Sequence, residues 1–242
     1  MSDFFRFPHT PHIAWLGKDE PRDDKLLSVQ EAEALLADEV VVEEKLDGAN
    51  LGISLAPDRQ LRVQNRGHYL IPPLVGQFSR LTDWLETHRL TLTAKLDSRL
   101  VVFGEWCAAR HSMDYDALPD WFVMFDVYDR EQEKFWSSAR RNLLAKEIGI
   151  SVVPQVLCGR VTLSKLKALL VSQDSHFRHG KMEGIVVRRE SADWCVARAK
   201  LVRAEFTQAI TGHWRGRAII WNRVRLSPCD RVWRQCSVIG CG

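Results

Sequence analysis

The residues best placed to do chemistry begin with a lysine. Lys45 ends the run Val-Val-Val-Glu-Glu-Lys and enters the tight turn Leu46-Asp47-Gly48. An amine attacks only after losing its proton, and burial or a nearby charge can lower a lysine pKa enough to allow that. A turn directly after a strand fixes the amine, and Gly48 lets a substrate phosphate come close to the backbone. Further along, Glu105 stands near the end of the apolar run 102–106, Phe125 precedes Asp126 in 122–128, and Glu183 precedes the run 184–187. Arg198 and Lys200 are two residues apart and so share one strand face. Singly, each has a plainer reading: a hairpin turn with a solvated lysine, a core phenylalanine, strand-end carboxylates in water, a solvated basic pair. Their joint occurrence in this order is what carries weight.

The elements that must position them can be read from local pattern. Ser28-Val-Gln-Glu31 is a capping box that predicts a helix to about Ala37. Residues 40–45, 50–55 and 60–64 read as short strands around the Asp47-Gly48 and Pro57-Asp58 turns. Residues 77–89 suit an amphipathic helix, with Phe78, Leu81 and Leu85 at helical spacing. Residues 100–106 and 121–128 are strand-like, 137–148 and 163–171 helical, and 184–189 and 195–201 the last strong strands. Strand and helix mix without a regular βαβ alternation, so the expected class is α+β, built on antiparallel sheets flanked by helices.

The composition sets bounds. In 242 residues, 45% are apolar and 27% charged, the proportions of an ordinary folded protein rather than a disordered, collagen-like or disulfide-stapled chain. No apolar run approaches the ~20 residues of a membrane span. The opening MSDFFRFPHTPH lacks the basic and apolar regions of a signal peptide, so a cytoplasmic location is expected. No two of the six cysteines form a CxxC pair. Cys229, Cys236 and Cys241 crowd the end without histidines at finger spacing, so zinc is not expected. Net charge is +3, yet residues 198–234 hold nine Arg/Lys against Glu205 and Asp230, which hints at a polyanionic partner. The 24 arginines outnumber the 10 lysines, and Arg suits bidentate phosphate contacts.

The five segments around Lys45, Glu105, Phe125, Glu183 and Arg198–Lys200, from about Val41 to Lys200, resemble the covalent nucleotidyltransferase superfamily of polynucleotide ligases and capping enzymes. Within it the chain looks most like ATP-dependent RNA ligases of the bacteriophage T4 RNA ligase 2 type. Asn50 five residues after the lysine, Asn65-Arg66-Gly67, and the stretch from Ala109-Arg-His-Ser112 through Tyr115 to Leu118-Pro-Asp120 support this. So does Lys200-Leu-Val-Arg203 running on to His213-Trp214. Two departures stand out: Arg198 replaces the first of two lysines usual in that group, and only 42 residues follow Lys200, too few for an OB-fold or a helical appendage.

The resemblance implies an ATP-grasp-like nucleotidyltransferase domain over residues 1–225, without an OB-fold, and a tail over 226–242. Residues 205–225 are expected to form one or two helices packed back on it. It implies an ATP-dependent RNA ligase in which Lys45 becomes lysyl-AMP. Glu44, Asn50, Arg66, Glu105, Phe125, Glu183, Arg198 and Lys200 would bind ATP with it, Phe125 stacking on adenine. Glu183, Glu105 and Asp47 would hold Mg²⁺ or Mn²⁺. The implied partners are RNA strand ends or a nicked duplex. Alternatives are a DNA or mixed RNA/DNA nick ligase, an end-binding subunit without turnover, and an adenylylating chain that needs a partner chain to bind nucleic acid.

Overall fold

The valine-rich run that delivers Lys45 is an inner strand of one of two antiparallel sheets. A computed structural model describes residues 4–18, 26–208 and 218–225. The first sheet has the order β7 (Gln155–Gly159), β1 (Val40–Lys45), β8 (Gly184–Glu190), β9 (Cys195–Val202). The second has the order β3 (Leu61–Gln64), β2 (Ala49–Leu55), β4 (Leu100–Trp106), β5 (Phe122–Asp129), β6 (Lys134–Phe135). Every pairing within them is antiparallel, as expected for the α+β class.

Helices cover the outer faces. α1 (Val29–Leu36) begins at the expected capping box: the Glu31 amide donates to Ser28 Oγ at 3.2 Å, and the Ser28 amide to Glu31 at 2.8 Å. Leu35 of α1 and Leu166 and Leu170 of α4 (Leu163–Ser172) pack on Val40, Val42, Ile185, Val187, Ala199 and Leu201 of the first sheet. Leu81, Trp84 and Leu92 of α2 (Leu81–Lys95), with Leu144, Ala145 and Ile148 of α3 (Ser138–Ile148), pack on Leu51, Ile53, Val102, Phe122 and Val127 of the second. α3 is capped by Ser137 and stopped by Gly149 in the left-handed region at φ 70°, where glycine carries no steric penalty.

Three sequence expectations shift. The helix placed at 77–89 starts at Leu81, after a 3-10 turn at Gly76–Phe78, and runs on to Lys95 because Leu92 is wholly buried in the core. Neither β6, two residues long, nor β7 was expected; β7 is fixed by pairing with β1 rather than by its own pattern. Residues 205–225 are helical only in α5 (Ala204–Gln208) among those described. Residues 218–225 are instead an extended strap, bridged through Trp221 to Ala109 and through Val224 to Leu118. The remainder of that expectation, at 209–217, lies outside the described residues, as do the 226–242 tail and its three cysteines. Among the described residues no helix is long and apolar enough to cross a membrane.

Candidate active site

The chain crosses from one sheet to the other at the lysine turn: Lys45 ends β1, and Ala49 opens β2. Glycine is required between them, because a Cβ on Gly48 would lie 2.6 Å from the Trp106 carbonyl oxygen. The Gly48 amide donates to the Glu105 carboxylate at 3.0 Å, tying the turn to β4. Lys45 Nζ donates to both carboxylate oxygens of Glu183, at 2.8 and 2.7 Å, and to Leu46 O at 3.3 Å. Its side chain is 26% exposed and that of Glu183 11%.

A cavity of about 420 Å³ opens here between the sheets. Glu44, Lys45, Asn50, Arg66, Glu105, Phe125, Arg198 and Lys200 all line it, so eight residues chosen from sequence border one cavity. Glu183 stands behind Lys45 rather than in the wall. Glu44 has its carboxylate turned to Ser175 Oγ (2.5 Å) and to the amide and ring of His176 (both 3.0 Å). Asp47, an expected metal ligand, has one oxygen bound to the neighbouring loop. Its Oδ2 accepts from the Ser112 amide (2.7 Å), Ser112 Oγ (2.6 Å) and the Met113 amide (2.9 Å), so that oxygen is committed to a loop.

The electrostatics of the lysine turn oppose two influences. Burial is the largest single influence on Lys45 and pushes its pKa down, but Glu183, Glu105 and Asp47 together outweigh it and raise it. These acids favour the ammonium, so the neutral amine that a nucleophile needs calls for an opposing positive charge beside them. Burial also raises the carboxyls of Glu105 and Glu183 to about 7, with Lys45 acting in the opposite direction on both.

Glu43, Asp126, Arg188 and Arg198 of the cavity lining belong to an ion network that sequence reasoning missed. Arg188, 1% exposed, donates to Asp126 Oδ1 (2.7 Å) and Glu190 Oε1 (2.6 Å). Arg141 of α3 donates to both Glu43 oxygens (2.6 and 3.2 Å) and to Phe125 O (2.6 Å). Arg198 joins through Asp126 Oδ2 at 2.5 Å, with its guanidinium 4.7 Å from the Phe7 ring centre. The network thus pins both sheets and α3 around Phe125. Its one sequence signal was an arginine pair ending an otherwise apolar strand, Val186-Val-Arg-Arg189. Phe7, His9 and Thr10 of the N-terminal segment also line the cavity, and that segment is held on β9 by the Lys200 amide donating to Pro11 O at 2.8 Å.

The donor set fits a nucleotide with a metal. Asn50 Oδ1 and Arg66 Nε are buried without a hydrogen-bond partner, and an unpaired buried polar atom costs about 1–3 kcal/mol. Both residues line the cavity, so a polar ligand there would relieve that cost. The carboxylates of Glu105 and Glu183 beside one lysine suit a hard divalent cation, although no ready-made cluster of three or more His, Cys, Asp or Glu exists among the described residues.

Comparisons with known proteins bear on the fold and the family. No curated protein matches the chain in sequence. Among solved structures, a point mutant of Naegleria gruberi RNA ligase with ATP and Mn has a similar fold. Its TM-score is 0.63 at 15% identity, over 86% of this chain and 59% of that one. A second mutant with ATP and Mn gives 0.62 at 16% identity, over 85% and 58%. The same ligase with PPi gives 0.57 at 19%, over 78% and 55%. The chain thus spans less than two thirds of the ligase it resembles. A family model described as RNA ligase matches residues 38–202, which hold Lys45, Glu105, Phe125, Glu183, Arg198 and Lys200. The chain belongs to the RNA ligase family.

Proposed function

We propose that this chain is an ATP-dependent RNA ligase that joins 5′-phosphate and 3′-hydroxyl ends through a lysyl-AMP intermediate on a nucleotidyltransferase core. The observation that carries the reading is the single cavity in which Lys45 meets Glu105, Phe125, Arg66, Arg198 and Lys200. The ATP and Mn complexes of the Naegleria ligase support the choice of nucleotide and metal.

In the first step the Lys45 amine attacks the α-phosphorus of ATP, a P–N bond forms and pyrophosphate leaves. The 5′-phosphate of an RNA strand next attacks that phosphorus, the P–N bond breaks, and the strand carries a 5′-linked AMP. A 3′-hydroxyl then attacks the activated 5′-phosphate and AMP leaves. Lys200 neutralises charge on the phosphate oxygens as it develops. Arg198, already anchored by Asp126, adds a fixed positive charge, and Arg66 grips a further phosphate. Phe125 gives the adenine a stacking face. Glu183 and Glu105 would hold Mg²⁺ or Mn²⁺ through their carboxylate oxygens. A cation there supplies the positive charge that offsets the acids and favours the neutral amine of Lys45.

Incubation with labelled ATP or GTP and Mg²⁺ or Mn²⁺, followed by denaturing electrophoresis, tests the reading. Label from ATP should stay on the chain and vanish in Lys45→Ala. A Lys45→Ala variant that labels fully, or a wild type that never labels, would sink it. Sealing of matched RNA and DNA nicks then decides which strand is the substrate.

A further inference from the structure

We infer that Asn222 is a positioning residue for the nucleophile, acting on the lysine turn from a strap outside the segment matched by the family model. The residue is 5% exposed, and its side chain spans three partners. Oδ1 accepts from the Tyr115 amide at 2.9 Å, while Nδ2 donates to Cys107 O at 2.8 Å and Ala109 O at 3.3 Å. The backbone on either side reinforces it. The Arg223 amide donates to Tyr115 O at 2.8 Å and the Asn222 amide to Ala108 O at 2.9 Å. Tyr115 is thus held at both its N–H and its C=O by two consecutive strap residues. Trp221, next in line, is fixed by the Arg80 guanidinium 4.1 Å from its ring centre.

The loop so clamped is the one that holds the turn. Tyr115 Oη accepts from the Asp47 amide at 2.8 Å, and Ser112 and Met113 supply the three donors to Asp47 Oδ2. Asp47 is two residues from Lys45, so the line of contacts runs from Asn222 through Tyr115 and Ser112 to the nucleophile. A buried amide side chain with one acceptor and two donor hydrogens, all engaged, has one orientation. Replacing it frees the loop that holds this turn, whose His111 also meets Gln77 Oε1 of the cavity wall at 2.7 Å. A lysine turn displaced by about 1 Å can cost on the order of 100-fold in rate without weakening nucleotide binding elsewhere in the cavity.

The test joins kinetics to hydrogen exchange on the full chain, and its kinetic arm rests on the lysyl-AMP reading. Asn222→Ala should slow lysyl-AMP formation at saturating ATP by about tenfold or more, with KM for ATP within about twofold of wild type. Ser112→Ala, at an exposed side chain that does not threaten folding, should slow it less. The double variant should be no slower than Asn222→Ala, because both act through one line of contacts. Amide exchange at Asp47, Ser112 and Met113 should quicken in Asn222→Ala while that at Val187 and Ala199 stays unchanged. Independent multiplication of the two rate losses, a change in KM alone, or equal acceleration across β8 and β9 would overturn the inference. If the wild type forms no adduct, the proposed function fails, and exchange at Asp47 still decides whether Asn222 holds the turn.

Discussion

Two groups of charges lie within one cavity wall of each other and are built on opposite plans. Around Lys45, three carboxylates face one ammonium, with Lys200 adding a smaller attraction on Glu183, and two of the acids are raised to about 7. In the other group, Arg141, Arg188 and Arg198 meet Glu43, Asp126 and Glu190, three charges against three, on short charge-assisted hydrogen bonds. The second group is complete: its charges are balanced and nearly all out of water. The first is poised: its acids outnumber its cations. Balance marks where the molecule is held together, and imbalance marks where it is prepared to take a charged ligand.

The contrast is broken most severely at the balanced group. Asp126→Ala leaves Arg188 with Glu190 alone of its two short carboxylate contacts and takes from Arg198 the carboxylate it donates to, and removing one partner of a buried ion pair costs about 3–5 kcal/mol. Urea unfolding should register that loss. A cost under about 1 kcal/mol would mean that the network does not clamp the sheets. Glu183→Gln, at the unbalanced group, should instead leave the chain folded with a stability change of no more than about 1–2 kcal/mol at neutral pH. It should nonetheless lower lysyl-AMP formation by about 100-fold, read as label retained per minute.

These two groups also differ in how legible they were. The lysine turn, Glu105, Glu183 and the Arg198–Lys200 pair could be picked out because each is a short local pattern: residue type and a strand or turn position carry the chemistry. Arg141 and Glu43 are 98 residues apart, and Arg188 and Asp126 are 62 apart, so nothing local announces that they meet. The same holds for Phe7, His9 and Thr10, which reach the cavity only because residues 11–13 dock on β9. The strap at 218–225 was expected to be helical. It is extended because its backbone groups pair with the 108–118 loop, a partner that periodicity cannot see. The charge balance at Lys45 was only partly legible for a related reason. Burial alone lowers a lysine pKa, but three acids from three separate segments reverse the sign.

Acidity offers a further way to sharpen the comparison. Glu183 has a carboxyl at about 7 in the folded chain against 4.5 for its ordinary value. The folded state therefore keeps a proton that the unfolded state releases, and the stability this gives is full below pH 4.5 and lost as pH rises to 7. Glutamine does not titrate, so Glu183→Gln should gain stability relative to wild type between pH 5 and pH 8. Urea midpoints at the two values check this. A relative loss over that interval would place the folded pKa of Glu183 below its ordinary value and the imbalance of the group in doubt.

The smallest effect is expected at Phe125, which belongs to both plans. Its carbonyl oxygen accepts from Arg141 at 2.6 Å, while its ring borders the cavity and meets Phe7 edge-on at 5.3 Å between ring centres. Phe125→Ala removes the ring and keeps the carbonyl, so the arginine network survives and the stacking face is lost. A base–aromatic contact is worth about 1–3 kcal/mol. Apparent KM for ATP should therefore rise by about tenfold, with the rate at saturation changed little. An unchanged KM with a collapsed rate would place the ring's role with the reacting phosphates and leave the adenine to some other surface of the cavity.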